Sequence, residues 1–153
     1  PAVVGTNRLF LSAAYLTGCT AFEINRTNSD YETHALWRTR GLKTKFASVV
    51  VWQGYIYGFD EDILVCLDAQ TGERKWKDGR YGYGQVLLAS GHLIVQCANG
   101  DLALLKATPD AWTEVARFPA LNGKSWNVPA ISNDRLLVRN GAEMACFDLT
   151  PGK

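Results

Sequence analysis

A four-fold internal repeat constrains this chain more than any other feature. Four segments share a turn followed by an apolar run: "TNRLFLS" (Thr6–Ser12), "QGYIYGF" (Gln53–Phe59), "SGHLIVQ" (Ser90–Gln96) and "NDRLLVR" (Asn133–Arg139). Anchored on Leu9, Ile56, Leu93 and Leu136, the copies recur every ~42 residues on average, the size of one supersecondary unit in a repeat protein. A unit that small cannot bury its own apolar face, so each copy must stack on its neighbours.

The elements around each anchor follow one order. A short apolar strand precedes it: "PAVV" from Pro1, "ASVVVW" from Ala47, "QVLLAS" from Gln85 and "VPAIS" from Val128. A second turn follows it. In two copies this turn holds Asn-Gly, at Asn99–Gly100 and Asn140–Gly141, which predicts type I′ hairpins because both residues tolerate positive φ. Then comes a third strand: "TAFEI" (Thr20), "VCLDA" (Val65), "ALLKA" (Ala103) and "ACFDL" (Ala145). A fourth follows in three copies, as "THALWRT", "ERKWKD" and "TEVARF". No segment keeps a helical period over three turns.

Four strands in such a period make one blade of a β-propeller. The near-continuous apolar runs fit, because inner strands of stacked blades are buried on both faces and lose in/out alternation. The expected fold is all-β. It has about four four-stranded antiparallel blades, roughly 1–42, 43–80, 81–122 and 123–153, the last without its outer strand. Four blades fall short of a usual ring, so the expectation is half of an eight-bladed propeller. A second copy, or a missing N-terminal half of a longer chain, would complete it.

The stretch "CLDAQTGERKW" (Cys66–Trp76) joins a third strand to a fourth. Here the chain resembles the repeats of the quinoprotein (PQQ-like) β-propeller family, in which a blade often carries Ala-x-Asp-x-x-Thr-Gly-x-x-x-Trp. Asp68, Thr71, Gly72 and Trp76 match, and Cys66 stands where Ala is usual. The fourth copy keeps Cys146, Asp148 and Gly152; the first keeps Ala21 and Glu23, with Trp37 as the later equivalent; the third has Lys106 at the acidic position and no clear tryptophan. The resemblance implies that the tryptophan packs on the neighbouring blade and that Asp68 and Asp148 hydrogen-bond within their turns. It also implies a bacterial, periplasmic or exported protein. Family members include alcohol and sugar dehydrogenases using pyrroloquinoline quinone with calcium, and non-enzymatic interaction scaffolds such as the assembly-factor lipoprotein of the outer-membrane barrel machinery.

The remaining composition narrows the function classes. A net charge of +1 gives no basic field for nucleic acid. No apolar run approaches the ~20 residues that span a bilayer, and "PAVVGTNRLF" has no signal-peptide pattern. Cys19, Cys66, Cys97 and Cys146 form no C-x-x-C pair, so they are expected as small buried residues within strands rather than zinc ligands. His34 and His92 lie in no nucleophile or ligand pattern. Asp60, Glu61 and Asp62 lack calcium-loop spacing and are expected as a solvated hairpin turn. No catalytic set stands out.

The links between blades are the richest segments. In a propeller each link runs from one outer strand to the next inner strand, at one rim of the central channel. "RGLKTKF" brings Arg40, Lys43 and Lys45; "GRYGYGQ" brings Arg80, Tyr81, Tyr83 and Gln85; "NGKSWN" brings Lys124, Trp126 and Asn127. Repeat equivalence sets them side by side, and their cations, amides and rings suit an anionic, flat or sugar-like ligand. Neither "GRYGYG" nor "GKS" opens a helix, so neither is a phosphate loop. The expected function is a binding or protein-interaction scaffold. The alternative is a quinone-dependent dehydrogenase or its remnant.

Overall fold

The structure, a computed structural model, describes residues 2–150. Pro1 of the first predicted strand and Gly152 of the fourth motif copy lie outside the described residues. The described chain is all-β. Four antiparallel sheets follow one another, with strands ordered by sequence within each. The first sheet holds β1 (Ala2–Val4), β2 (Arg8–Ala13), β3 (Gly18–Arg26) and β4 (Tyr31–Thr39). The second holds β5 (Val50–Trp52), β6 (Tyr55–Asp60), β7 (Ile63–Asp68) and β8 (Arg74–Arg80). The third holds β9 (Gln85–Ala89), β10 (His92–Gln96), β11 (Asp101–Lys106) and β12 (Glu114–Pro119). The last has three strands: β13 (Ala130–Ser132), β14 (Arg135–Arg139) and β15 (Met144–Asp148).

Side-chain alternation sorts the middle strands onto two neighbours at once. In β7, Val65 and Leu67 face the first sheet and join Phe10, Cys19, Leu42 and Ile56 in one core. Leu64 and Cys66 face the third sheet and join Tyr57, Phe59, Leu93, Val95, Ala103 and Leu105 in another. β10 repeats the device: Leu93 and Val95 face the second sheet, while Ile94 packs with Leu136 and Val138 of the fourth. Both faces of these strands are therefore apolar, which removes the polar alternate positions seen in one-sided sheets. The core is three slabs between four sheets, not one centre.

The motif turn ties sheet to sheet. Asp68 Oδ1 accepts from the backbone N–H groups of Gln70 at 2.8 Å and Thr71 at 3.0 Å. Burial pushes the Asp68 carboxyl up, but these hydrogen bonds outweigh it and hold the group below its ordinary value. Asp148 repeats the arrangement, accepting from the Thr150 N–H at 2.9 Å. Trp76 Nε1 crosses to the third sheet and donates to the Thr108 carbonyl at 2.8 Å; Trp37 Nε1 crosses to the second and donates to the Ala69 carbonyl at 3.1 Å. Trp37 also lies against Gly72, where an added Cβ would overlap the indole. Gly72 has φ +75°, so a side chain there meets both backbone strain and the ring. Gly72→Ala is expected to cost about 2 kcal/mol, read as a lower urea midpoint; an unchanged midpoint would mean that neither the positive φ nor the ring resists the added methyl.

The third sheet breaks the pattern. Trp37 and Trp76 lie opposite Ala21 and Cys66; the corresponding residue opposite Leu104 is Ala116. Phe118, two residues on, meets Phe147 of the fourth sheet edge-on, with centroids 5.3 Å apart.

Three expectations need correction. Paired positive-φ residues fall at Gln53–Gly54, Ser90–Gly91 and Asn133–Asp134, in the first hairpin of the second, third and fourth repeats, and at Tyr15–Leu16, in the second hairpin of the first. At Asn99–Gly100 only the glycine has positive φ, and at Asn140–Gly141 neither residue does. Asn140 instead uses its side chain, accepting at Oδ1 from the N–H groups of Ala142 and Glu143, so an Asx turn replaces the type I′ geometry. Of the cysteines, Cys19, Cys66 and Cys97 are buried free thiols, but Cys97 follows β10 rather than lying in it, and Cys146 is exposed. Burial pushes the Cys19 and Cys97 thiols up to about 11. Finally, Asp60 is not solvated, as described next.

Candidate functional site

Antiparallel order puts each β-link at the same end of a sheet as the hairpin between its second and third strands. This link side carries the charged and aromatic residues singled out from the sequence. Asp60, at the end of β6, is only 3% exposed. Its Oδ1 lies 2.5 Å from Lys43 Nζ, and its Oδ2 accepts from Lys77. Burial alone would push the carboxyl up; the two lysines outweigh it and hold it below its ordinary value. Lys43 thus pins the first link to the second sheet, and the Glu61 N–H donating to the Lys43 carbonyl at 3.2 Å does the same. Arg80 pairs with Asp62 at 2.6 Å. Sequence reasoning missed the Asp60 role, because nothing local in "FDEDI" distinguishes the carboxylate that turns inward.

Tyr81 and Gln85 are buried rather than displayed on the rim. The Tyr81 hydroxyl donates to Glu114 at 2.7 Å and accepts from Trp112 Nε1 at 3.1 Å. Burial and the Glu114 carboxylate push that phenol well above its ordinary range. Arg117 covers the same ring and forks onto Glu114. Gln85 Nε2 donates to the Phe46 carbonyl at 2.7 Å. Arg40 is exposed, and Asn127, half-buried, turns its amide to Arg139.

The structure brings the other rim residues together. Lys45 Nζ lies 4.8 Å from the Tyr83 ring centroid, 5.4 Å from that of Tyr15 and 5.8 Å from that of Phe46. Phe46 stacks on Trp126, centroids 6.1 Å apart and planes at 24°. Lys124 Nζ lies 3.6 Å from the Trp126 centroid. One contiguous platform thus joins the β2–β3 hairpin and all three links. Two of its rings, Tyr15 and Phe46, were not selected from the sequence. The available signal was composition: "AYLT" puts two large apolar residues in a tight turn, where polar ones are usual. Between Tyr15 and Phe46 opens a cleft of about 370 Å³, walled by Ser12–Tyr15 and Thr44–Ser48. Among the described residues no group of three or more His, Cys, Asp or Glu is placed to hold a metal ion.

No protein-family model matches this chain, and no curated protein does. Solved structures do. BamB from Moraxella catarrhalis superposes at TM-score 0.71 with 18% identity, over 95% of this chain and 41% of its own. The fold is that of β-propeller blades. The quinohemoprotein alcohol dehydrogenase ADHIIG from Pseudomonas putida HK5 superposes at TM-score 0.56 with 19% identity, over 70% of this chain and 19% of its own. A europium-containing methanol dehydrogenase does so at TM-score 0.54 with 16% identity, over 74% of this chain and 23% of its own. The chain therefore spans less than half the length of each of these propellers.

Proposed function

We propose that this arc of propeller blades is a non-enzymatic docking module whose working surface is the aromatic–lysine platform on the link side. Further blades, from a second copy or a longer polypeptide, would cover its open first and last sheets. The observation that carries the reading is the platform itself: large rings held in solvent on the link side, with cations over their faces. Binding surfaces gather such residues; cores hide them.

The dehydrogenase alternative fits these residues poorly. Calcium needs several free carboxylate or carbonyl oxygens. On the link side Asp60 is taken by two lysines and Asp62 by Arg80, and Glu114, which Tyr81 of the second link reaches, is taken by Arg117; Glu61 has no cation partner among the described residues, but one carboxylate does not make a calcium site. Trp126, the ring suited to stack on a quinone, is already engaged by both Phe46 and Lys124. The test is direct. Mixed with pyrroloquinoline quinone, calcium and an alcohol or sugar, the protein is expected to reduce no redox dye above background. Saturable turnover would overturn the docking reading. A periplasmic or exported setting accords with this proposal and rests on the family resemblance alone.

A further inference from the structure

The platform is built to stay exposed. Phe46 is 69% exposed and adopts φ +58°, a conformation that costs a bulky residue energy and persists only when its surroundings enforce it. The enforcing group is Gln85, buried at 2% exposure, whose amide grips the Phe46 carbonyl. Tyr15 and Leu16 are 76% and 81% exposed, with φ of 57° and 68°. Three apolar side chains are thus turned outward by strained backbone, although three apolar cores lie within the same fold. Trp126 and Val128 extend the surface.

Charge then selects the partner. Most carboxylates beside the platform are occupied: Asp60 by Lys43 and Lys77, Asp62 by Arg80, and Glu143 by the Asn122 N–H, while Glu61 pairs with no cation among the described residues. Lys45 and Lys124 have no carboxylate partner among the described residues. Ring faces hold the ammonium groups themselves, Lys45 Nζ over Tyr83 and Lys124 Nζ over Trp126, and a ring does not neutralise the charge, so each can still take an anion. Protruding Tyr, Phe, Trp and Leu beside unpaired lysines is the chemistry of a surface that rests in the headgroup layer of an anionic bilayer.

We propose that this platform docks the propeller, link side down, on an anionic lipid surface. The inference rests on the docking reading above and names its occupant. The contact is a surface one: aromatic tips at headgroup depth, lysines against phosphates.

The test is co-sedimentation of the whole chain with vesicles of equal parts phosphatidylglycerol and phosphatidylcholine, against phosphatidylcholine alone. Retention is expected on the anionic vesicles only and should weaken as salt rises. Replacing Lys45 or Lys124 by Gln should lower partitioning about fivefold each. Phe46→Ser should lower it further, and bromine-labelled lipid tails should quench an emission component that Trp126→Phe removes. All four side chains lie at the surface, so unchanged urea midpoints should accompany these losses. Equal retention on neutral vesicles, equal retention of the variants, or none at all would each overturn the lipid assignment; the last would point to a protein partner. Failure here with no quinone turnover removes only the lipid. Turnover removes the docking reading itself.

Discussion

Trp76→Ala is expected to destabilise the fold by about 3 kcal/mol, less than for a fully buried tryptophan because the ring is half-exposed. Two losses combine. The indole packs on Tyr57, with centroids 5.9 Å apart, within the slab between the second and third sheets. Its N–H also donates to Thr108, across to the next repeat. Trp76→Phe separates them, keeping most of the ring contact and losing only the hydrogen bond, for about 1 kcal/mol. Urea unfolding of both variants reads the difference. If Trp76→Ala moves the midpoint no further than Trp76→Phe, the inter-blade belt is a hydrogen bond and not a packing contact. Stability in stacked repeats is a sum of units and interfaces, so weakening this one should also lower cooperativity, broadening the transition.

Asp60→Asn is the second large effect, with about 3 kcal/mol expected at neutral pH. Removing one member of a buried charge cluster strands the others, and here a single carboxylate serves two ammonium groups. Part exposure of Lys43 and Lys77 lets them turn towards water, which keeps the cost at the lower end. The pH dependence follows from the depressed folded-state value of Asp60. Its stabilisation is complete above the unfolded-state value of about 3.9 and is lost as pH falls through the lower folded-state value. Wild type and Asp60→Asn should therefore differ most near neutrality and converge in acid below about pH 4. Urea midpoints measured across that range decide it. A gap that persists undiminished in acid would mean that the carboxylate's shape matters and its charge does not.

The architecture was legible because it is written in local and periodic signals. A recurring turn and apolar run, the Asp-x-x-Thr-Gly turn and a tryptophan four residues on are all short-range patterns. Burial of inner strands on both faces left its mark as unbroken apolar runs such as "ILVCL". The hairpin chemistry was harder to read. Gln-Gly, Ser-Gly, Asn-Asp and even Tyr-Leu pairs take the positive-φ turns, while Asn140, in the more obvious Asn-Gly pair, is held by its own side chain. Composition permits several turns, and the flanking hydrogen bonds choose among them.

The rim was only half legible. Its segments were found because blade links must converge, and Lys45, Tyr83, Lys124 and Trp126 do meet at one surface. Tyr81 and Gln85, from the same link, turn inward, because one finds Glu114 and Trp112 in the third repeat and the other the Phe46 carbonyl. Asp60 was assigned to solvent and lies beneath two lysines. Repetition and alternation, which act over a few residues, let the sequence alone determine that this chain stacks antiparallel sheets into propeller blades. Which aromatics stand in water, which carboxylate is buried, and which lysines stay unpaired depend on partners roughly 17 to 80 residues away, set only once the sheets pack. Tertiary structure decided those.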